Sequence, residues 1–169
     1  MRIIDLHCYP NTQKWIDCQG PYVKALAEYW GRDWQAKTEE EVVAEFKEFH
    51  VDALLVALDL STTIQTPPCD NDYVAGMRDR HDCIIQAWGA LEPTRGRVAI
   101  DEARHAINEL NMIGFHFHPI MQHIQVNDQD FYPLWEEISS MGVPVMIDVG
   151  MTGMGAGMPG GLGVKTRNA

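Results

Sequence analysis

Gly114-Phe115-His116-Phe117-His118-Pro119-Ile120, and onward through the stretch ending Gly142-Val143-Pro144-Val145-Met146-Ile147-Asp148-Val149-Gly150, decides how this chain is read. The full segment, 114–150, is GFHFHPIMQHIQVNDQDFYPLWEEISSMGVPVMIDVG. It reads as strand, loop, helix, strand. The helix is capped at Asn127 or Asp128 and carries Phe131, Leu134, Trp135, Ile138 and Met141 at helical spacing. Each strand ends in a group able to bind a metal or move a proton: His116 and His118 on the first, Asp148 on the second. Ligands of parallel βαβ units gather at the carboxyl ends of the strands, so this placement predicts a site.

The same alternation extends back to the start of the chain. Arg2 to His7 is a short apolar strand with Ile3, Asp5 and His7 on one face and Ile4 and Leu6 on the other. Thr38-x-x-Glu41 is a capping box ahead of Val42, Val43, Phe46 and Phe49. Asp52 to Asp59 is an almost unbroken apolar run, as a strand covered on both faces requires. Asp70 to His81 has helical spacing, Cys83 to Glu92 is a third strand, and Ile100, Ala103, Ile107 and Leu110 mark a further helix before a strand at Ile113. Alternating strands and helices predict a parallel sheet with helices outside it. Two architectures fit: a doubly wound open sheet, or part of a (β/α)8 barrel. Five strands, where a closed barrel has eight, followed by a tail from Gly150 to Gly163 with seven glycines, make the reading a partial (β/α)8 TIM barrel, one incomplete α/β domain over 1–169.

Composition excludes several functions. A length of 169 residues suits one domain with a real core. The net charge of -11 leaves no basic stripe for phosphates, so no nucleic-acid partner is expected. No apolar run reaches membrane-spanning length and the opening MRIIDLHCYP has no signal core, so neither a membrane nor secretion is expected. Cys8, Cys18, Cys69 and Cys83 lack CxxC or zinc-finger spacing and read as reduced thiols of a cytoplasmic protein.

Every strand carries a carboxylate or imidazole near its C-terminal end: Asp5 and His7 with Tyr9 beyond, Asp59, Glu92 on the face of Trp88, His116 and His118, and Asp148. One polar strand end commonly caps a helix or satisfies a loop; five together point to a site. Imidazole with carboxylate suits Zn²⁺ first, with Mn²⁺ or Fe²⁺ as alternatives. His50, His81, His105 and His123 fall on helices or loops and are expected to be solvated. Cys8 points away from His7, which argues against a Cys–His dyad. Gly160 to Thr166 superficially resembles a phosphate loop, but Val164 breaks the Gly-Lys step. The connection 9–37 is rich in aromatics (Trp15, Tyr22, Tyr29, Trp30, Trp34) and is either an accessory helix, Pro21 to Trp30, on the barrel rim or a lid that stacks on a flat substrate.

Three blocks resemble the amidohydrolase-related family, the metal-dependent barrel group that includes aminocarboxymuconate-semialdehyde and resorcylate-type decarboxylases. Ile4-Asp5-Leu6-His7-Cys8-Tyr9 is similar to its IDxHxH strand. Gly114-Phe115-His116-Phe117-His118-Pro119, with Asp128, Phe131, Tyr132, Pro133 and Leu134, is similar to GxKLHP and PDDxxFYPLY. Val143 to Gly150 is similar to LPVLIHTG. The resemblance implies a hydrolase acting on a carbonyl or carboxylate small molecule, or a decarboxylase of an aromatic or muconate-type acid. DLHCYP, TPPCDNDYV and MIDVGMTGMGAGMPGG resemble one branch, 4-hydroxyphenyl-β-ketoacyl-CoA hydrolase, which would cleave a carbon–carbon bond of an aromatic β-ketoacyl thioester.

The resemblance implies that His7 and Asp148 hold the metal, with Asp5 as an alternative ligand. His116, His118 and Asp148 are the catalytic groups, and Tyr9, Trp15, Trp88 and Glu92 line the substrate. The chain departs from the family at Tyr9 and Asp148, which stand where histidines bind the metal, and at His116, which stands where a lysine is usual. The family also takes a histidine base and an aspartate from later strands that this chain does not contain. Two rival readings follow: a catalytically silent half-barrel that pairs its open edge in a homo-oligomer, and a binding protein for a small molecule.

Overall fold

In the computed structural model, which describes residues 2–149, the chain forms a five-stranded parallel sheet in the order β1-β2-β3-β4-β5. The strands are β1 (Ile3–Cys8), β2 (Val51–Val56), β3 (Ile84–Ala90), β4 (Gly114–Phe117) and β5 (Val145–Ile147). Strand order follows chain order, so each crossover joins adjacent strands in one sense, as in a barrel and unlike a doubly wound sheet. The sheet is therefore an open half-barrel. Asp148, Val149 and the preceding strand are described; the Gly-rich tail from Gly150 and the stretch 160–166 lie outside the described residues.

Side chains mark where several of these elements begin. Thr38 and Glu41 make the reciprocal capping box at the start of α3 (Glu39–Glu48), the third helix of the chain. Asp70 caps α4 (Asn71–Arg80) by accepting from Tyr73 N, and α5 (Arg97–Asn108) follows a short 3-10 turn, Pro93–Arg95. Asp128 caps a second 3-10 turn, Gln129–Phe131, that runs into α7 (Tyr132–Met141). A four-residue helix, α6 (Pro119–Gln122), leaves no periodic signal in the sequence because it is a single turn.

The two faces of the sheet carry different clusters. Ala53, Leu55, Ala57, Phe115 and Phe117 join Val74, Met77, Ala103, Ala106, Leu134 and Ile138 in the main core, between sheet and helices. The alternate residues Leu54, Val56 and Trp88, with Tyr9, Ile113 and Met146, form a smaller cluster on the inner face. The β4–β5 contact is close at one point: a Cβ on Gly114 would collide with the Pro144 carbonyl oxygen.

The segment after β1 holds two helices, α1 (Gln13–Gln19) and α2 (Tyr22–Trp30), where the sequence pattern marks one. Tyr22, Val23, Ala25 and Leu26 of α2 are buried, as rim packing requires, whereas Tyr29 and Trp30 are exposed. Phe49 departs from its expected core position: it is the C-terminal cap of α3 and lies 64% exposed. At the two edges Ile3, Ile4 and Leu6 of β1, and Val145, Ile147 and Val149 at β5, are exposed.

Candidate metal centre

Parity along β4 sends Phe115 and Phe117, both fully buried, into the helical layer and turns His116 to the opposite face. The same alternation on β5 puts Asp148 beside it, with β5 held in register by the pairing of His116 with Met146 and of Phe117 with Ile147. Asp148 N donates to Phe117 O at 3.0 Å, which fixes the aspartate one residue past the strand. His7 arrives from the end of β1, its ring centroid 5.0 Å from that of His116. One donor atom from each of His7, His116 and Asp148 lies within 4.8 Å of the others.

His116 is 3% exposed, and neither of its ring nitrogens has a hydrogen-bond partner among the described residues; His7 Nε2 is also buried and unpartnered. Asp148 Oδ2 stands 3.3 Å from His116 Nε2 and 3.5 Å from His118 Nε2. Burial lowers the pKa of His7, and His116 adds to the effect against the opposing pull of Asp148 and Asp5. Burial also drives His118 down to about 4, with Asp148 opposing. For Asp148 burial acts upward, but His116, His118 and His7 together outweigh it and the carboxyl falls below its usual range. Neutral imidazoles and an ionised carboxylate are the states that ligate a metal. Orphaned buried nitrogens converging on a carboxylate therefore fit a divalent ion, with a nitrogen-rich set suited to zinc, manganese or iron.

His118 is held differently. Its Nδ1 accepts from Met121 N at 3.3 Å, so the neutral ring carries its proton on Nε2, directed toward Asp148. Gln122 supports this arrangement: its side-chain oxygen accepts from His118 N at 3.0 Å, while its amide donates to Leu91 O at 2.7 Å. Gln122 is buried and sequence reasoning missed it; a glutamine four residues after the histidine is the only local signal.

The other sequence-derived candidates separate into two groups. Tyr9 stacks on Trp15 with ring centroids 4.7 Å apart and meets His7 edge-on at 5.0 Å, so this aromatic pair borders the cluster. Trp15, 3% exposed, backs Tyr9 and offers no open face of its own. Burial first, then Asp148, pushes the Tyr9 hydroxyl up to about 12, which keeps it a proton-bearing donor. Trp88 lies on the inner face and donates from Nε1 to Leu6 O at 2.9 Å, tying β3 to β1 across β2.

Asp5 and Glu92 are not brought to the cluster. The Asp5 side chain is exposed and accepts from the amide of His7 at 3.0 Å, a local turn contact. Glu92 caps the 3-10 turn after β3, and Asp59 accepts the amide and hydroxyl of Ser61. His81 departs from the expected solvation: its Nε2 is buried, 3.6 Å from Glu39. His105 pairs with Asp72 and Glu109, and His50 and His123 are exposed. All four cysteines are free and buried. Burial, then Asp5, raises the Cys8 thiol to about 12, which removes it as a nucleophile.

The amidohydrolase family model Amidohydro_2 matches residues 4–167. The chain belongs to the amidohydrolase family. No curated protein matches it. Among solved structures, 5-carboxyvanillate decarboxylase from Novosphingobium aromaticivorans, with bound manganese, superposes with a TM-score of 0.65 at 16% identity, over 89% of this chain and 51% of that one. Dihydroxybenzoic acid decarboxylase from Polaromonas, also with manganese, gives a TM-score of 0.53 at 16% identity, over 86% and 48%. 4-Oxalomesaconate hydratase from Rhodopseudomonas palustris gives 0.52 at 16%, over 87% and 52%. At these identities the likeness is one of fold. The amidohydrolase chain spans about half the length of the solved structures it matches.

Proposed function

We propose that this amidohydrolase-family chain carries the metal-binding half of an enzyme that acts on a small aromatic carboxylic acid, by decarboxylation. The convergence of His7, His116 and Asp148 carries the proposal. These three residues would hold the ion, with zinc, manganese or iron compatible with the donor set. A divalent ion bound there supplies Lewis acidity toward a carboxylate or carbonyl oxygen. His116 thus moves from the proton-transfer role expected of it to the ligand set, because both ring nitrogens are buried without hydrogen-bond partners and Nε2 stands beside Asp148.

His118 contributes a fixed N–H. Its pKa of about 4 keeps the ring neutral at pH 7, so Nε2 donates toward Asp148 and orients that carboxylate, and the ring does not act as a cationic acid. Tyr9, braced by Trp15, offers a flat edge beside the cluster on which an aromatic ring can stack. Glu92 and Trp88 take no part in this reading: one caps a turn and the other ties strands together.

Elemental analysis of the purified chain tests the site. The expected result is one divalent ion per chain, lost in His7→Ala and His116→Ala and retained in Asp5→Asn. Release of CO2 from dihydroxybenzoates or a carboxyvanillate, dependent on the added ion, tests the reaction. Turnover that persists in metal-free protein would sink the metal roles. Cleavage of an aromatic β-ketoacyl thioester without decarboxylation would replace the reaction assignment and leave the ligand set standing.

A further inference from the structure

A cavity of about 340 Å³ opens between the end of α2 and the segment leading to α3, and none of the metal-centre residues lines it. Trp30, Arg32 and Trp34 lie on its wall. The backbone pins that wall at both ends. Gly31 adopts φ 63, the left-handed turn that closes a helix, and Arg32 N donates to Ala27 O at 2.9 Å. Farther on, Lys37 N donates to Asn11 O at 2.9 Å and Lys37 bridges Thr12, which ties the segment to the connection leaving β1. Between these points the chain turns back so that Trp34 stacks on Trp30, with ring centroids 5.9 Å and planes 27° apart.

The wall carries a free aromatic surface and a free charge. Trp34 packs against the main core, whereas Trp30 is 50% exposed, so half of an indole is left to solvent at the cavity. Arg32 is exposed and has no carboxylate partner, although every other lysine and arginine among the described residues has one. A chain of net charge -11 does not lack acids to pair it. Its charged neighbours on the wall are already committed: Asp33 accepts from Gln35 Nε2 at 2.7 Å, and Lys37 pairs with Glu45 at 2.6 Å. Nor does the guanidinium lie over an indole; the cation–π contact among the described residues is Lys14 over Tyr73, at 5.0 Å.

We propose that this cavity binds a planar aromatic carboxylate, with its ring against the Trp30–Trp34 pair and its carboxylate on Arg32. A guanidinium presents a planar fork of donors that matches a carboxylate two bonds at a time, and its long stem lets an exposed arginine reach an anion seated beside it. Indole faces stack on flat rings in offset geometry, and the contact adds to the area buried. The volume lies at the lower end for small-molecule pockets, which suits an acid of one or two rings. A simple anion would leave the indoles unused, and a neutral arene would leave Arg32 unpaired. The cavity shares no residue with the metal centre and does not rest on the reaction proposed above.

Calorimetric titration of the full chain with 2-naphthoate, with a chelator present to keep ions from the metal centre, is the test. One saturable site is expected. Naphthalene-2-carboxamide, which lacks the charge, and cyclohexanecarboxylate, which lacks the flat ring, should each bind about fivefold more weakly or worse. Arg32→Gln and Trp30→Leu, both at exposed positions, should each weaken 2-naphthoate by about the same factor while the variants stay folded. No saturable signal, or equal affinity in both variants and the parent chain, overturns the proposal, as does equal affinity for cyclohexanecarboxylate. Binding that needs added manganese and is lost in His116→Ala would place the acid at the metal centre; it overturns this site and leaves the proposed function standing.

Discussion

His116 and Glu92 are both acid–base side chains delivered near a strand's carboxyl end, and both are almost wholly buried. Their surroundings separate them. His116 meets a second imidazole and an ionised carboxylate, whereas Glu92 meets threonine donors on one oxygen and nothing on the other. Burial raises the pKa of Glu92, with Thr62 and Thr94 opposing and Asp59 adding to the rise. A carboxyl whose folded pKa lies above its unfolded value binds protons more tightly in the folded state. Its stabilising contribution is therefore fully present below the unfolded value and is lost as pH rises through the folded one. Denaturant unfolding of the chain and of Glu92→Gln should give similar stabilities near pH 4. Above that the two should diverge, with the glutamine variant the more stable at pH 7. Parallel pH profiles would refute the raised pKa.

At the scale of elements, two contacts do more than their size suggests. The Thr38–Glu41 capping box starts α3 after the long connection from β1, and that helix buries Val42 and Val43. Thr38→Ala should cost about 1 kcal/mol, which lowers the melting temperature by roughly 2–4 °C for a chain of this size. Gly114 is the more severe position, because an added Cβ would meet a backbone oxygen of the residue before β5. β5 cannot move without taking Asp148 with it, since Asp148 N is bonded to Phe117 O. Gly114→Ala should therefore cost about 1–3 kcal/mol and, read by metal content, lose the ion as well. A variant that melts early yet keeps its ion would separate β5 packing from the site.

Among the described residues the sheet is half of a closed architecture. β1 and β5 are its outer strands there, and the exposed Ile4, Leu6, Val145 and Ile147 lie on them. Unpaired strand edges with apolar side chains recruit other strands. We propose that the 169-residue chain self-associates through these edges. Light scattering after size-exclusion chromatography should report a species larger than 19.1 kDa, shifted toward the monomer by Ile4→Lys with Leu6→Lys. A monodisperse monomer that unfolds cooperatively would count against it.

Much of this was legible without coordinates. Period-two alternation assigned His116 and His118 to one face and Phe115 and Phe117 to the other. The capping box at Thr38 and the cap at Asn127 or Asp128 pointed to two helix starts, because each reads out over three or four residues. Local patterns failed where a partner lies far along the chain. Asp5 and Asp148 are both acidic groups near strand ends, but Asp5 turns back onto the His7 amide on an uncovered edge strand and Asp148 meets two histidines from β4. Phe49 carries helical spacing yet falls past the last turn of α3, where no neighbour covers it. The sequence by itself determined the strand and helix alternation, the family, and which side chains could serve at strand ends, since those are encoded within a few residues. Only the tertiary structure decided which of them meet. His7 lies more than a hundred residues before His116 and Asp148 in the chain, and sheet order and register across β1 to β5, not sequence spacing, bring their donor atoms within reach of one ion.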